Sequence, residues 1–269
     1  MSDSETPPTT WHSKGPGKVH VATWRPKDGR AVEVWLSVDV PAQEDMEIVF
    51  EGEGKMEYIP IKRKNQRVCY YVSGSSGSGK STWIANTLKK LIRQHPKKER
   101  WLFSSITDYD PVFMQGEKKL LKKVDYDKVD LGSLRTDHMV QRDENGKSKG
   151  CIAVFDDYDG TEQGKQVQPL LVQCLKEGRK LGIDCFMVSH NARDFHRTRD
   201  IITQATTFVT FPAVNRVAML NLAGAYWDMN RAQINKHIEA LRPRTAFYFL
   251  AHNRWPKSIV TSDRVIHLH

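Results

Sequence analysis

The feature that most constrains this chain is a glycine- and serine-rich loop between an apolar run and a helical pattern. The loop is Gly74-Ser-Ser-Gly-Ser-Gly-Lys-Ser81, which satisfies the pattern G-x-x-x-x-G-K-[ST]. The apolar run before it, Val68-Cys-Tyr-Tyr-Val72, suits a buried parallel strand, and the helical pattern extends from Lys80 to about Gln94. A flexible glycine-serine linker would not lie between two such elements. The sequence therefore predicts a phosphate-binding P-loop that holds ATP.

The residue types of this loop match the chemistry of a bound triphosphate. Glycines let the backbone curl so that successive N–H groups point at phosphate oxygens, and the start of the helix adds its positive dipole end. Lys80 is expected to bridge the β and γ phosphates, the Ser81 hydroxyl to ligate Mg²⁺, and Thr82 to pack near the α phosphate. We therefore expect ATP and Mg²⁺ as cofactors, with the nucleotide bound by Gly74, Ser75, Ser76, Gly77, Ser78, Gly79, Lys80, Ser81 and Thr82.

Two carboxylates follow a second apolar run, at residues 151–155. This is the Walker B arrangement, in which a buried strand presents acidic groups at its carboxyl end, where ligands bind in open α/β sheets. Asp156 is predicted to be the second magnesium anchor beside Ser81. Asp157 is predicted to be the catalytic base that orients and deprotonates the attacking water. The alternative is that both are turn residues before Asp159 and Gly160.

A third polar position follows the apolar run at residues 183–188, which ends in Ser189 and His190. Either side chain could sense the γ phosphate or position the water, and His190 could also be a simple strand-end residue. Arg193, Arg197 and Arg199 cluster just downstream. Such a segment could supply an arginine finger, for which Arg199 is our candidate, or a contact to DNA phosphates. The sequence leaves these possibilities open.

Apolar runs alternate with helical patterns along the chain, which predicts an α/β fold with a mostly parallel sheet flanked by helices. We expect a disordered tail at residues 1–18, a small β-rich N-terminal segment at 19–65 and a P-loop ATPase domain at 66–269. In the β-rich segment, Pro60 would confine the short strand predicted at Tyr58–Ile61 to a sheet edge. Further predictions are helices at 166–180, 214–223 and 231–241, a strand at 245–250 and one more strand within 258–268.

The chain carries 41 Lys+Arg against 32 Asp+Glu, a net charge of +9. A surplus of this size favours a polyanionic partner such as nucleic acid, although a solvated surface is the simpler reading. Candidates for phosphate contacts are Lys89, Lys90, Lys97, Lys98, Arg100, Lys118, Lys119, Lys122 and Lys123. No stretch approaches the roughly 20 apolar residues of a membrane span. The N-terminus lacks the apolar core of a secretory signal, and the four scattered cysteines suit a reduced compartment.

Several segments together resemble the DNA-packaging ATPases of double-stranded DNA viruses with jelly-roll capsids, a branch of the FtsK/HerA translocases. The resemblance covers roughly residues 66–255. It rests on Tyr71-Val-Ser-Gly-Ser-Ser-Gly-Ser-Gly-Lys-Ser-Thr82, Phe103-Ser-Ser-Ile-Thr-Asp-Tyr-Asp-Pro111, Val154-Phe-Asp-Asp157, Gly178-Arg-Lys-Leu-Gly-Ile-Asp-Cys-Phe-Met-Val-Ser-His190 and Phe211-Pro212. Members of that group usually carry Gln where this chain has His190.

The resemblance implies a ring of identical subunits, commonly a hexamer or pentamer, that drives double-stranded DNA into a preformed capsid. It also implies an arginine finger that reaches into the neighbouring site, a capsid vertex protein as a possible partner, and action in the host cytoplasm, a viral factory or the virion. Two other classes remain open. One is a small P-loop kinase for nucleosides or nucleotides, and the other is a nucleotide-gated assembly protein like those of filamentous phages, which usually carry a membrane span.

Overall fold

The structure of the protein is a computed structural model. It describes residues 14–37, 46–60, 67–106, 108–156, 162–190, 203–211, 230, 232–233, 235–236, 250–254 and 256–268. Several predictions therefore lie outside the described residues: Asp157, Arg193, Arg197, Arg199, most of the tail 1–18, the helix 214–223, most of the helix 231–241 and all but the last residue of the strand 245–250.

The β-rich N-terminal segment contributes to two different sheets. Its strands are β1 (Lys18–Pro26), β2 (Val32–Ser37), β3 (Met46–Val49) and β4 (Gly54–Tyr58). The antiparallel sheet β2-β1-β4 has β4 at an edge. β4 ends before Pro60, so the strand predicted at 58–61 shares only Tyr58 with it. β3 instead joins the large sheet described next. The division of the chain at residue 65 stays a prediction.

The large sheet contains a continuous block of six parallel strands. They are β5 (Cys69–Ser73), β6 (Glu99–Ser104), β9 (Lys122–Lys123), β10 (Cys151–Asp156), β11 (Asp184–Ser189) and β12 (Thr207–Thr210). Their order across the sheet is β12-β5-β11-β10-β6-β9, and each neighbouring pair is parallel. Between β6 and β9 lies a small hairpin of β7 (Met114–Gln115) and β8 (Lys118–Lys119). The α/β fold class predicted from the sequence is confirmed.

Antiparallel strands extend this sheet beyond β12. They are β13 (Leu250–Arg254), β14 (Lys257–Val260) and β15 (Arg264–His267), after which β3 forms the edge. The single strand predicted within 258–268 is wrong, because two strands pair there as a hairpin. Its turn is held by Thr261, whose hydroxyl lies 3.1 Å from a carboxylate oxygen of Asp263.

Two long helices pack on opposite faces of the large sheet. They are α1 (Lys80–Gln94) and α2 (Glu162–Leu181), and short 3₁₀ helices lie at Pro111–Phe113 and Thr136–Met139. Side chains alternate between the faces along β5: Tyr70 packs in the cluster that holds α1, and Tyr71 in the cluster that holds α2. The apolar positions predicted for one face of α2 are all buried, namely Leu170, Leu171, Cys174 and Leu175.

The N-terminal sheet shares a core with α1. Met56 and Tyr58 of β4 belong to the same apolar cluster as Tyr70 and Trp83. The Tyr58 ring lies 5.5 Å from the Trp83 ring and 6.3 Å from the Tyr70 ring, measured between centroids. Aromatic contacts of this kind bury large areas, so β4 is held against the first turns of α1.

All four cysteines are buried free thiols. Burial raises the pKa of the Cys151 thiol to about 12, so this side chain stays protonated at neutral pH. Among the described residues, no helix combines the length and the apolar character needed to cross a membrane.

Candidate nucleotide site

The predicted P-loop connects β5 to α1 at the carboxyl edge of the parallel sheet. Gly77 and Gly79 have φ angles of 75° and 98°, a left-handed conformation that favours glycine. A Cβ at Gly74 would lie 2.5 Å from Oγ of Ser78 and 3.2 Å from the Phe211 ring, so a larger residue would require these side chains to shift. The Gly74 N–H donates to the carbonyl oxygen of Ser189, 3.2 Å away, and so ties the loop to the end of β11.

The first turn of α1 is left open to an anion. Gly79 occupies the cap position without any side-chain cap, and the first turn contains no acidic residue. The leading N–H groups of a helix have no partner within the helix and carry its positive dipole end. A phosphate group in the loop would satisfy them.

Lys80 lies inside the loop. Its side chain is only 7% exposed, and its Nζ donates to the carbonyl oxygens of Gly74 at 2.7 Å and Ser75 at 3.1 Å. These contacts keep the ammonium group inside the loop, as its predicted role at the phosphates requires. Nearby, the buried hydroxyls of Ser73 and Ser78 make no hydrogen bond in the described part of the chain.

The P-loop and the acidic end of β10 line a common cleft of about 320 Å³. Asp156, the last residue of β10, is buried and faces this cleft with Lys80 and Ser81. The loop residues Ser76–Thr82 all line it. A serine hydroxyl and a carboxylate are oxygen ligands of the kind Mg²⁺ prefers, with phosphate oxygens and water completing its shell. Glycine backbone, buried cation and oxygen donors therefore fit a Mg²⁺-bound nucleotide.

The two candidates for the third polar position are placed differently. His190 lines the cleft and is exposed, whereas Ser189 is buried at the end of β11. His190 is thus the one that a nucleotide in the cleft could contact through its side chain. Asp157 and Arg199 lie outside the described residues, so their roles as base and arginine finger stay predictions.

Two cleft residues were missed by the sequence analysis, Asp110 and Val112. They lie on the loop after β6, at the start of a 3₁₀ helix. One Asp110 oxygen accepts the Val112 N–H at 2.9 Å, and Pro111 occupies the first helical position. The sequence signal was the Asp-Pro pair that typifies such a cap, but it does not reveal that the cap faces the P-loop.

One of the predicted phosphate-contacting lysines is in the wrong place. Lys98 is buried, and its Nζ lies 2.6 Å from Asp184 at the opposite end of β11 from the P-loop. It is therefore not available to DNA. By contrast, Lys118, Lys119 and Lys122 are exposed around the β7–β8 hairpin. Lys119 and Lys122 lie over the rings of Tyr109 and Trp101, at 4.9 and 4.8 Å.

The parallel sheet, the loop between β5 and α1, and the acidic end of β10 define the fold of a P-loop NTPase. No model of a known protein family matches the chain. The uncharacterized protein V3 of Sputnik virophage is 24% identical over 192 residues, which are 70% of this chain and 72% of V3.

Solved structures with a similar fold include viral packaging and bacterial secretion proteins. The genome packaging NTPase B204 of Sulfolobus turreted icosahedral virus 2 has a TM-score of 0.48 and 14% identity, over 74% of this chain and 98% of B204. The cytoplasmic domain of the type VII secretion ATPase EccC from Thermomonospora curvata has a TM-score of 0.50 and 12% identity, over 94% of this chain and 29% of the chain of that domain. At these identities the likeness bears on the fold alone.

Proposed function

We propose that this protein is a Mg²⁺-dependent ATPase that translocates double-stranded DNA, and that it packages a viral genome into a capsid. The observation that carries the ATPase proposal is the meeting of Lys80, Ser81 and Asp156 in one cleft behind a glycine loop. Lys80 would neutralise phosphate charge, and the loop N–H groups would orient the triphosphate. Ser81 and Asp156 would hold the Mg²⁺ ion, which would polarise the phosphate groups when bound.

Hydrolysis further requires a group that activates water on the far side of the γ phosphate. Asp157 directly follows Asp156 and is our candidate for this base. His190 or Ser189 would sense the γ phosphate, and Arg199 would stabilise transition-state charge from a neighbouring subunit. A hexameric or pentameric ring and a capsid vertex protein as docking partner belong to the same proposal.

The proposal of DNA as the substrate has a separate basis. The chain has a net charge of +9, and three lysines are exposed around the β7–β8 hairpin, close in sequence to the cleft residues Asp110 and Val112. The similarity to protein V3 of a virophage supports the viral context. A motor that moves along DNA needs exposed cations that contact the phosphates, and these three lysines are our candidates for them.

Phosphate release with and without duplex DNA tests the motor. We expect Mg²⁺-dependent ATP hydrolysis that duplex DNA stimulates. Lys80→Ala should abolish it, because it removes the cation inside the loop, and Asp157→Asn should retain ATP binding but lose hydrolysis. Unchanged turnover in Lys80→Ala would refute the site, and a lack of DNA stimulation would refute the motor.

The same assay separates the kinase alternative. The carboxylate of Asp110 in the cleft could hold an acceptor hydroxyl, as a nucleoside kinase requires. Transfer of phosphate from ATP to a nucleoside, rather than to water, would favour that class over the motor.

A further inference from the structure

A second groove continues from the nucleotide cleft and lies between α1 and β4. Its volume is about 580 Å³, and it shares Ser78, Gly79 and Thr82 with the cleft. We propose that this groove holds the ribose and base of the bound nucleotide, so that the small N-terminal sheet forms one wall of the nucleotide site. This inference rests on the proposed function, since it requires that the P-loop binds a nucleotide.

The groove lies in the direction in which the nucleoside part of a bound nucleotide must extend from the P-loop. The metal ligands Ser81 and Asp156 line the cleft but not the groove, so the γ-phosphate end lies away from it. Across the sheet, β11 and then β10 with Asp156 lie on one side of β5, while β12 lies on the other. The groove is on the β12 side, where Phe211 contributes to its lining. The part of the nucleotide beyond the α phosphate therefore points into the groove.

The lining has the chemistry that a nucleoside needs. Its apolar part is made by Met56, Trp83 and Phe211, which are largely buried beneath it, while Glu57 and Asn86 add polar groups. Small-molecule sites combine apolar surfaces of this kind with a few polar groups that fix orientation. A planar base can pack on the apolar part and direct its ring nitrogens to the polar groups.

The wall formed by β4 is fixed before any ligand binds. Nζ of Lys90 donates to the Tyr58 carbonyl oxygen at 2.7 Å and lies 3.8 Å from Glu57, so α1 and β4 are bridged along the groove. Burial lowers the pKa of Lys90, while the Glu57 carboxylate opposes this shift. Because the bridge and the aromatic contacts of Tyr58 keep the groove open, ordering it costs little on binding.

Filling the groove tests the inference. Asn86 is exposed on α1 and lines the groove, so Asn86→Trp should occupy the space of the nucleoside. The probes are Mg²⁺–ATP, which needs cleft and groove, and Mg²⁺–tripolyphosphate, which needs the cleft alone. We expect Asn86→Trp to raise the Kd for ATP by about tenfold or more and to leave the Kd for tripolyphosphate unchanged.

Two further variants make the result specific. Lys55→Trp, placed on β4 across the groove, should weaken ATP binding in the same selective way, because β4 is the proposed wall. Gln94→Trp is the control, since Gln94 is exposed at the end of α1 and does not line the groove. It should change neither Kd. Circular dichroism establishes that each variant is folded.

The outcomes separate this inference from the proposed function. Unchanged ATP binding in folded Asn86→Trp, or an equal loss for both probes, would overturn the nucleoside groove while leaving the P-loop assignment intact. Failure of the unmodified protein to bind either ATP or tripolyphosphate would overturn the P-loop assignment, and the groove with it.

Discussion

Asp110 and Asp156 are the carboxylates that line the nucleotide cleft among the described residues. Asp156 ends a buried strand and was predicted as a metal ligand, whereas Asp110 is exposed on a loop. Both add negative charge to a cleft that must hold a triphosphate, which is tolerable only when a cation is bound there too. Asp110 is therefore expected to favour the metal-bound form of the nucleotide.

We predict that Asp110→Asn raises the Mg²⁺ concentration needed for half-maximal hydrolysis by about fivefold, equivalent to about 1 kcal/mol for an exposed charge. Asparagine keeps the oxygen that accepts the Val112 N–H, so the 3₁₀ helix should persist. A magnesium titration of ATPase activity measures the shift. Asp108→Asn, which removes an exposed charge outside the cleft, should leave the titration unchanged; an equal shift in both variants would exclude a specific role for Asp110.

At the scale of residues, the sequence predicted which side chains would meet where a single loop or strand end determines their position. The P-loop residues from Ser76 to Thr82 and the carboxylate of Asp156 all line one cleft, because a short loop and a strand end place them there directly. Asp110 escaped prediction because its approach to the P-loop depends on how the loop after β6 folds back. That path is held by Tyr109, whose hydroxyl contacts the backbone of Phe113 and Leu121, contacts that no local pattern reveals.

Helices and strands could be predicted where apolar residues recur at a regular spacing. They were missed where a strand pairs with another that is distant in the sequence. The buried face of α2 follows from the spacing of its leucines and Cys174. The hairpin β14–β15 was read as one strand because its turn, from Thr261 to Asp263, contains neither glycine nor proline. The pairing of β3 with β15 joins residues more than 200 positions apart, as in the ion pair between Glu47 and Arg264, and sequence patterns carry no signal for it.

The parallel strands are also fixed at the end of the sheet opposite the nucleotide. Asp184, at the start of β11, is fully buried and accepts both the Lys98 ammonium at 2.6 Å and the Val68 N–H at 2.9 Å. Lys98 also donates to the carbonyl oxygen of Gly182. A buried charge that loses its partner is strongly unfavourable, because nothing replaces the water it gave up.

We predict that Lys98→Met lowers the free energy of unfolding by about 3–5 kcal/mol, since it leaves the Asp184 carboxylate uncompensated. Lys98→Met combined with Asp184→Asn should recover part of that loss. Urea unfolding followed by circular dichroism measures both. The control is Lys97→Met at the exposed neighbouring position, where a change within about 0.5 kcal/mol is expected. Equal stability of Lys98→Met and Lys97→Met would show that the pair contributes nothing.

For the whole molecule, the surplus of positive charge and the motifs indicated an ATPase that acts on nucleic acid, but they did not give the number of subunits. Among the described residues that line the cleft, Lys80 is the sole lysine or arginine. Transition-state charge on a transferring phosphoryl group commonly requires a second cation, supplied within the chain or by a neighbour. The proposed ring would meet this need at each interface between subunits.

We therefore predict a ring-shaped oligomer when ATP and duplex DNA are present. Multi-angle light scattering measures the mass directly, and we expect a closed assembly of five or six subunits, as the resemblance to packaging ATPases implies. Hydrolysis per subunit should rise with protein concentration, because each site needs a neighbour. A monomer under every condition would count heavily against a packaging motor.

Mixing two inactive variants tests whether the arginine acts across an interface. Lys80→Ala lacks the loop cation but keeps Arg199, and Arg199→Ala keeps an intact loop. If Arg199 completes the neighbouring site, an Arg199→Ala subunit regains activity wherever a Lys80→Ala subunit supplies the arginine. In a random equal mixture of subunits in a head-to-tail ring, that arrangement occurs at about one quarter of the sites, so about one quarter of the unmodified activity should return. A mixture that stays as inactive as its parts would place Arg199 in the site of its own subunit. Full activity of the Arg199→Ala protein on its own would instead assign the role to Arg193 or Arg197.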